Sequence, residues 1–113
     1  MTNSRQKGKR GELMWRDVLR ATGWTEARRG QQYAGSPDSP DVVGGPAGWH
    51  PEVKFRNVLN IHDAIKQAEN EMPAGSRPYV AWKKTNKDWI VALRAGDFLE
   101  LLRALELRKE TDA

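Results

Sequence analysis

Asp41, Glu52 and Lys54 are the residues whose types and spacing could do chemistry. Asp41 follows Pro40 and precedes Val42, Val43, Gly44 and Gly45; after a short connector with Trp49, the chain reads His50-Pro51-Glu52-Val53-Lys54-Phe55. Two valines behind a carboxylate read as the start of a buried strand that opens on an acid at a sheet edge. Glu52 to Phe55 reads as a second strand. Alternation then sends Val53 and Phe55 into a core and leaves Glu52 and Lys54 together on the opposite face. An acid and a lysine on one face, beside an acid from a neighbouring strand, make a cradle for a divalent metal and a phosphate. A Glu-x-Lys spacing also occurs on plain solvated strand faces, and these residues alone do not separate the two readings. Asp41 adds weight, because charges are depleted where a strand leads straight into a core.

The elements that must position these groups can be read along the chain. Residues 1–7 read as a basic flexible tail and residues 8–113 as one domain. A helix is predicted from Gly8 to about Thr22, closed by Gly23, with Met14, Trp15, Val18 and Leu19 as its buried stripe and Arg16 and Arg20 outside. Glu12 falls at the border of that stripe, where it can lean over a site at the sheet edge or serve as an acid in the first helical turn. Trp24 to Arg29 reads as a first strand, followed by a Gly-, Ser-, Pro- and Gln-rich loop to Pro40. Arg28, Arg29, Gln31, Gln32, Tyr33 and Ser36 offer donors and a stackable ring to a nucleic-acid backbone. Asp38 sits in a second Pro-Asp pair, but Ser and Pro follow it, so Asp41 is the preferred ligand. A second helix is predicted from Ile61 to Met72, capped by Asn60 and closed by Pro73, with Ile61, Ile65, Ala68 and Met72 inward. Gln67 flanks that stripe near Glu71, where its amide can reach a ligand or simply be solvated. Strands at 78–84 and 89–93 are joined by a Thr85-Asn86-Lys87-Asp88 hairpin turn crowded by Lys83, Lys84 and Lys87. The last helix, Phe98 to about Lys109, carries Phe98, Leu101, Leu102 and Leu105 on one face; Leu99 and Leu107 lie outside it and argue for self-association.

Composition bounds the rest. With 113 residues, 38% hydrophobic and 30% charged, the chain fits one compact domain. No apolar run is long enough for a bilayer and the first residues cannot form a signal peptide, so a cytoplasmic location is expected. The absence of cysteine excludes a disulfide frame and a thiolate zinc site, and the two histidines, His50 and His62, leave little for an all-imidazole site. Any metal is expected to be hard and oxygen-bound. The net charge is +4, and residues 1–33 hold eight of the 19 basic residues against three of the 15 acids. That basic front, including Lys7, Lys9 and Arg10, suggests a polyanion partner, foremost nucleic acid.

Helix, three strands, helix, two strands, helix, with Lys-Gly-Lys-Arg-Gly-Glu opening the first helix, Pro-Asp-Val-Val-Gly at the second strand and Glu-Val-Lys on the third, resembles the PD-(D/E)XK nuclease superfamily. Within it the chain is most similar to archaeal-type and phage Holliday junction resolvases. The resemblance implies an α/β, restriction-endonuclease-like fold in the order αβββαββα, with a central mixed five-stranded sheet flanked by helices. It implies that Asp41 and Glu52 bind Mg²⁺, with Mn²⁺ able to substitute, that the Val53 carbonyl joins them, and that Glu12 supplies a further ligand directly or through water. Lys54 would assist the attacking water, and Gln67 matches a glutamine many relatives carry. The tyrosine that sometimes follows that glutamine is replaced here by Glu71. The activity implied is hydrolysis of branched DNA by a homodimer, leaving 5′-phosphate and 3′-hydroxyl ends. The alternatives are a related nuclease acting on ordinary duplex, of restriction or repair type, and a non-catalytic nucleic-acid-binding module.

Overall fold

The structure is a computed structural model that describes residues 4–30 and 41–112. Helix α1 spans Ser4–Ala21, so it starts a turn earlier than predicted, and most of the expected flexible tail is helical. The added turn has a partner: the Lys7 ammonium lies 4.9 Å and the Arg10 guanidinium 5.8 Å from the centre of the Phe55 ring. Such cation–ring contacts offset the roughly 1 kcal/mol that Gly8 costs inside a helix. At its other end the Trp24 N–H reaches back to the Leu19 carbonyl at 3.0 Å, over Gly23 at φ +115°. This six-to-one closure needs the left-handed backbone that glycine takes without strain.

Strand β1 is only Arg28–Arg29, shorter than the predicted 24–29, because the chain after Gly23 turns again, with Ala27 N–H bonded to the Trp24 carbonyl at 3.1 Å. It pairs antiparallel with β2, Val42–Val43. Strand β3 covers Trp49–Phe55 and runs parallel to β4, Arg77–Lys83; β5, Ile90–Leu93, is antiparallel to β4. The crossover from β3 to β4 is α2, Ile61–Glu71, whose Asn60 side chain accepts the Asp63 N–H at 3.1 Å, as the cap prediction required. Element order and the α/β class follow the sequence reading. The ladders, however, form a two-stranded pair and a mixed three-stranded sheet, where one five-stranded sheet was expected. The physical reason lies at the open edge of β3: the Val53 N–H donates to Asp41 Oδ2 at 2.7 Å, so a side chain fills the position that a neighbouring strand's carbonyl would take. Pro51, two residues earlier, presents its missing donor to that same edge, which is where a strand tolerates proline.

One face of the sheet is covered by α1. Trp15, Leu19, Ala27, Val42, Val53, Tyr79 and Ala81 form its buried cluster, and the Trp15 indole donates to the Tyr79 hydroxyl at 3.1 Å. On the other face α2 buries Ala64 and Ala68. The last helix, α3, spans Ala95–Asp112. The face that carries Phe98, Leu101, Leu102 and Leu105 is not buried: these residues are 41 to 55% exposed. The start of α3 is held by ion pairs, Arg94 to Asp97 at 2.9 Å and to Glu69 at 3.6 Å, and Arg77 to Asp97 and Glu100. The molecule is correspondingly long, 55 × 32 × 29 Å. Among the described residues no helix is long and apolar enough to cross a membrane.

Candidate active site

Glu12 from α1, Asp41 at the entrance to β2, and Glu52, Val53 and Lys54 from β3 line one cleft of about 470 Å³, together with Lys7 and Arg56. Two glycines make this convergence possible. Gly11 packs so closely on β3 that a β-carbon there would stand 2.8 Å from the Phe55 β-carbon and 3.7 Å from a Val53 methyl. The close approach sets Glu12 against the sheet edge. Gly44, at φ +81°, lets the chain after β2 pass against the backbone of Glu26 and Ala27, where any side chain would collide with the Glu26 carbonyl.

Asp41 is held through its Oδ2 by the Val53 amide. Because the N–H and C=O of one strand residue point to the same side, the Val53 carbonyl also turns toward this edge and away from β4. Burial pushes the Asp41 carboxyl up to about 6, against the Val53 N–H that lowers it, and the negative charge of Glu12 adds to the rise. Glu52 is 2% exposed and is pushed further, to about 8, first by burial and then by Asp41, with Lys54 opposing. The Lys54 ammonium stands 3.3 Å from Glu52 Oε1 and donates to the Gln67 amide oxygen at 2.9 Å. Gln67 in turn donates to Glu71 at 3.2 Å. Gln67 is thus a brace between the lysine of β3 and the end of α2.

Glu12 is buried beside the cleft, but its Oε1 accepts from the Arg29 guanidinium at 2.6 Å. Arg29, expected on a nucleic-acid backbone, is engaged with a carboxylate instead. Glu12, expected among the metal ligands, has an organic cation beside it. Arg28 is exposed and Lys9 is exposed on α1. Lys7, Arg10 and Lys83 surround the Phe55 ring at the cleft's rim. Ser36, with Gln31, Gln32, Tyr33 and Asp38, lies outside the described residues.

Two groups that sequence reasoning passed over belong to the same neighbourhood. His50 is 3% exposed, and neither its Nε2 nor Glu52 Oε2 has a hydrogen-bond partner among the described residues. Burial lowers the His50 pKa, with Glu71 opposing. One ligand atom each from His50, Glu52 and Glu71 lie within 4.8 Å of one another, the only such three-residue group among the described residues. The alternation that put Glu52 and Lys54 on one face also puts His50 there, so that signal was available; Glu71 could be placed only with the packing of α2 in hand.

Compared with known proteins, the chain matches no family model, no curated protein and no solved structure.

Proposed function

We propose that the chain is a Mg²⁺-dependent endonuclease of the PD-(D/E)XK type, with a restriction-endonuclease-like fold, that hydrolyses branched DNA such as four-way junctions. The observation that carries the reading is the single cleft in which Glu12, Asp41, Glu52, Val53 and Lys54 meet from separate segments. Its residues fit a divalent ion: Glu52 keeps a buried oxygen without a partner among the described residues, and burial pushes the Asp41 and Glu52 carboxyls well above their ordinary range. All donors there are oxygens, the set that suits Mg²⁺ or Mn²⁺. Asp41, Glu52 and the Val53 carbonyl would hold the ion, with Glu12 joining once Arg29 gives way. When bound, such an ion neutralises charge growing on the phosphoryl oxygens and lowers the pKa of attacking water. Lys54 presents its ammonium to the same space, where it orients a water and a phosphoryl oxygen, and Gln67 fixes its position. Lys7, Arg10 and Arg56 at the rim neutralise flanking phosphates, and Lys9, exposed on α1, adds to the same basic front. Hydrolysis leaves a 5′-phosphate and a 3′-hydroxyl.

A homodimer is part of this proposal. An almost wholly apolar groove of about 570 Å³, lined by Trp15, Val18, Leu19, Trp24, Trp49 and Leu101 among others, opens next to the exposed leucines of α3. A second copy of the chain would cover both, and two clefts related by a two-fold axis suit paired nicks in a two-fold junction.

The test compares cutting and binding in one set of proteins. Glu52→Gln and Lys54→Ala should each slow Mg²⁺-dependent junction cleavage by about 10²- to 10³-fold or more while leaving most DNA affinity in place. Wild-type protein that binds junctions and never cuts with Mg²⁺ or Mn²⁺ would leave only a binding module. Equal rates on a four-way junction and a linear duplex of the same sequence would replace the resolvase assignment by a duplex nuclease.

A further inference from the structure

His50, Glu52 and Lys54 project from one face of β3 toward α2, and Glu71 is the last residue of that helix. An imidazole and two carboxylates, one of them shared with the cleft, therefore converge on its inner side. We propose that His50, Glu52 and Glu71 form a second divalent-cation site, of mixed nitrogen and oxygen donors, sharing Glu52 with the cleft. It takes over from the preceding reading only that Glu52 is a cation ligand.

The argument starts from what is unsatisfied. An imidazole nitrogen and a carboxylate oxygen are both buried without a partner among the described residues, on residues 3% and 2% exposed. Buried polar atoms of native proteins are almost always paired, with protein, water or an ion. One ligand atom each from His50, Glu52 and Glu71 lie within 4.8 Å of one another, close to what an ion needs, since ligands at about 2.1 Å from a centre lie up to about 4.2 Å apart. Rotation of one side chain closes the remainder. Glu71 is already steadied by the Gln67 amide at 3.2 Å. The C-terminal end of α2 adds its own negative potential at the same point, which favours a cation. A route also exists, because His50 borders a separate cavity of about 280 Å³ between the Gly44–Gly48 loop and the segment after α2. One imidazole with two carboxylates selects a borderline ion, Mn²⁺ or Zn²⁺, over Mg²⁺. The two ions would then differ in kind: an exchangeable hard ion at the cleft and a more tightly held one behind it, bracing β3 against α2.

Pulsed electron paramagnetic resonance on the full chain loaded with Mn²⁺, without DNA, tests this directly. Coordinated imidazole gives a ¹⁴N modulation that carboxylates cannot give, and the chain has only two histidines, of which His62 is exposed at the start of α2. The expected result is a clear nitrogen signal in wild type, its loss in His50→Gln, and Mn²⁺ affinity weakened about tenfold or more in Glu71→Gln, whose half-buried position tolerates the change. Wild type saturated with Mn²⁺ and lacking the nitrogen signal overturns the site, as does a signal that survives His50→Gln. Should His50→Gln not fold, the Glu71→Gln titration decides, and unchanged affinity sinks the proposal. Absence of junction cleavage alongside an intact nitrogen signal would remove the nuclease and leave this site standing.

Discussion

The chemistry of the cleft comes down to two carboxyls kept from ionising. Glu52 holds its proton up to about pH 8 and Asp41 to about 6, both through burial first, whereas in the unfolded chain each releases it near 4. The folded chain binds more protons across that window, so metal-free stability falls as pH rises through it. His50 acts oppositely, since its lowered pKa makes stability rise with pH, but only below its ordinary 6.5. Between about pH 6.5 and 8 the Glu52 contribution therefore stands alone among these shifts. Metal-free melting temperature should drop over that interval, and added Mg²⁺ should raise it more at pH 8 than at pH 6.5. A metal-free melting curve that climbs over the same interval would contradict the buried carboxyl. Asp41 offers a second test because it lines the cleft while its Oδ2 accepts the Val53 N–H. Asp41→Asn keeps an acceptor for the Val53 N–H and should stay folded while losing metal affinity; Asp41→Ala leaves that edge amide bare and should cost about 1–3 kcal/mol as well, measured by urea unfolding. Most of this was legible: Asp41, Glu52 and Lys54 could be named from alternation and spacing. The Glu12–Arg29 pair could not, because it joins a helix to a two-residue strand that local pattern had drawn too long.

Among the elements, α1 and β3 are set by their closest approach, at Gly11. Gly11→Ala would improve helix propensity, yet its methyl has backbone-rooted atoms of Phe55 in its way. Overpacking should win, with a loss of about 1–3 kcal/mol in stability, and the helix should lift Glu12 from the cleft. Calorimetric Mg²⁺ titration of the variant should show weaker binding than wild type; equal binding would mean that Glu12 is no ligand. Helix caps and strand alternation carried the sequence reading well here: the Asn60 cap, the Gly23 stop and the α2 boundaries fell within a residue or two of prediction. β2 fell where the two valines behind Asp41 had placed it, whereas β1 was drawn too long, because a two-residue strand has no period to detect and its pairing is decided by Gly44 and the Glu26–Ala27 backbone.

For the molecule as a whole, α3 decides the most. Its amphipathic spacing set four apolar residues on one face, but no local pattern says which surface a face will meet. The described chain leaves those leucines 41 to 55% exposed, with Arg77 and Arg94 forming ion pairs at the start of the helix. Replacing Leu102 and Leu105 together by lysine should yield a folded monomer, with an unchanged circular dichroism spectrum and half the wild-type mass in sedimentation equilibrium. A wild type that sediments as a monomer at micromolar concentration would remove the dimer. The arm-like course of α3 has a practical corollary for that measurement. The radius of gyration is 15.0 Å, against about 13 Å for a compact chain of this length. Friction grows with such asymmetry, so a single copy will leave a sizing column early, at a volume that a rounder protein of greater weight would share. Light scattering, which weighs particles regardless of outline, is the appropriate judge of how many copies travel together.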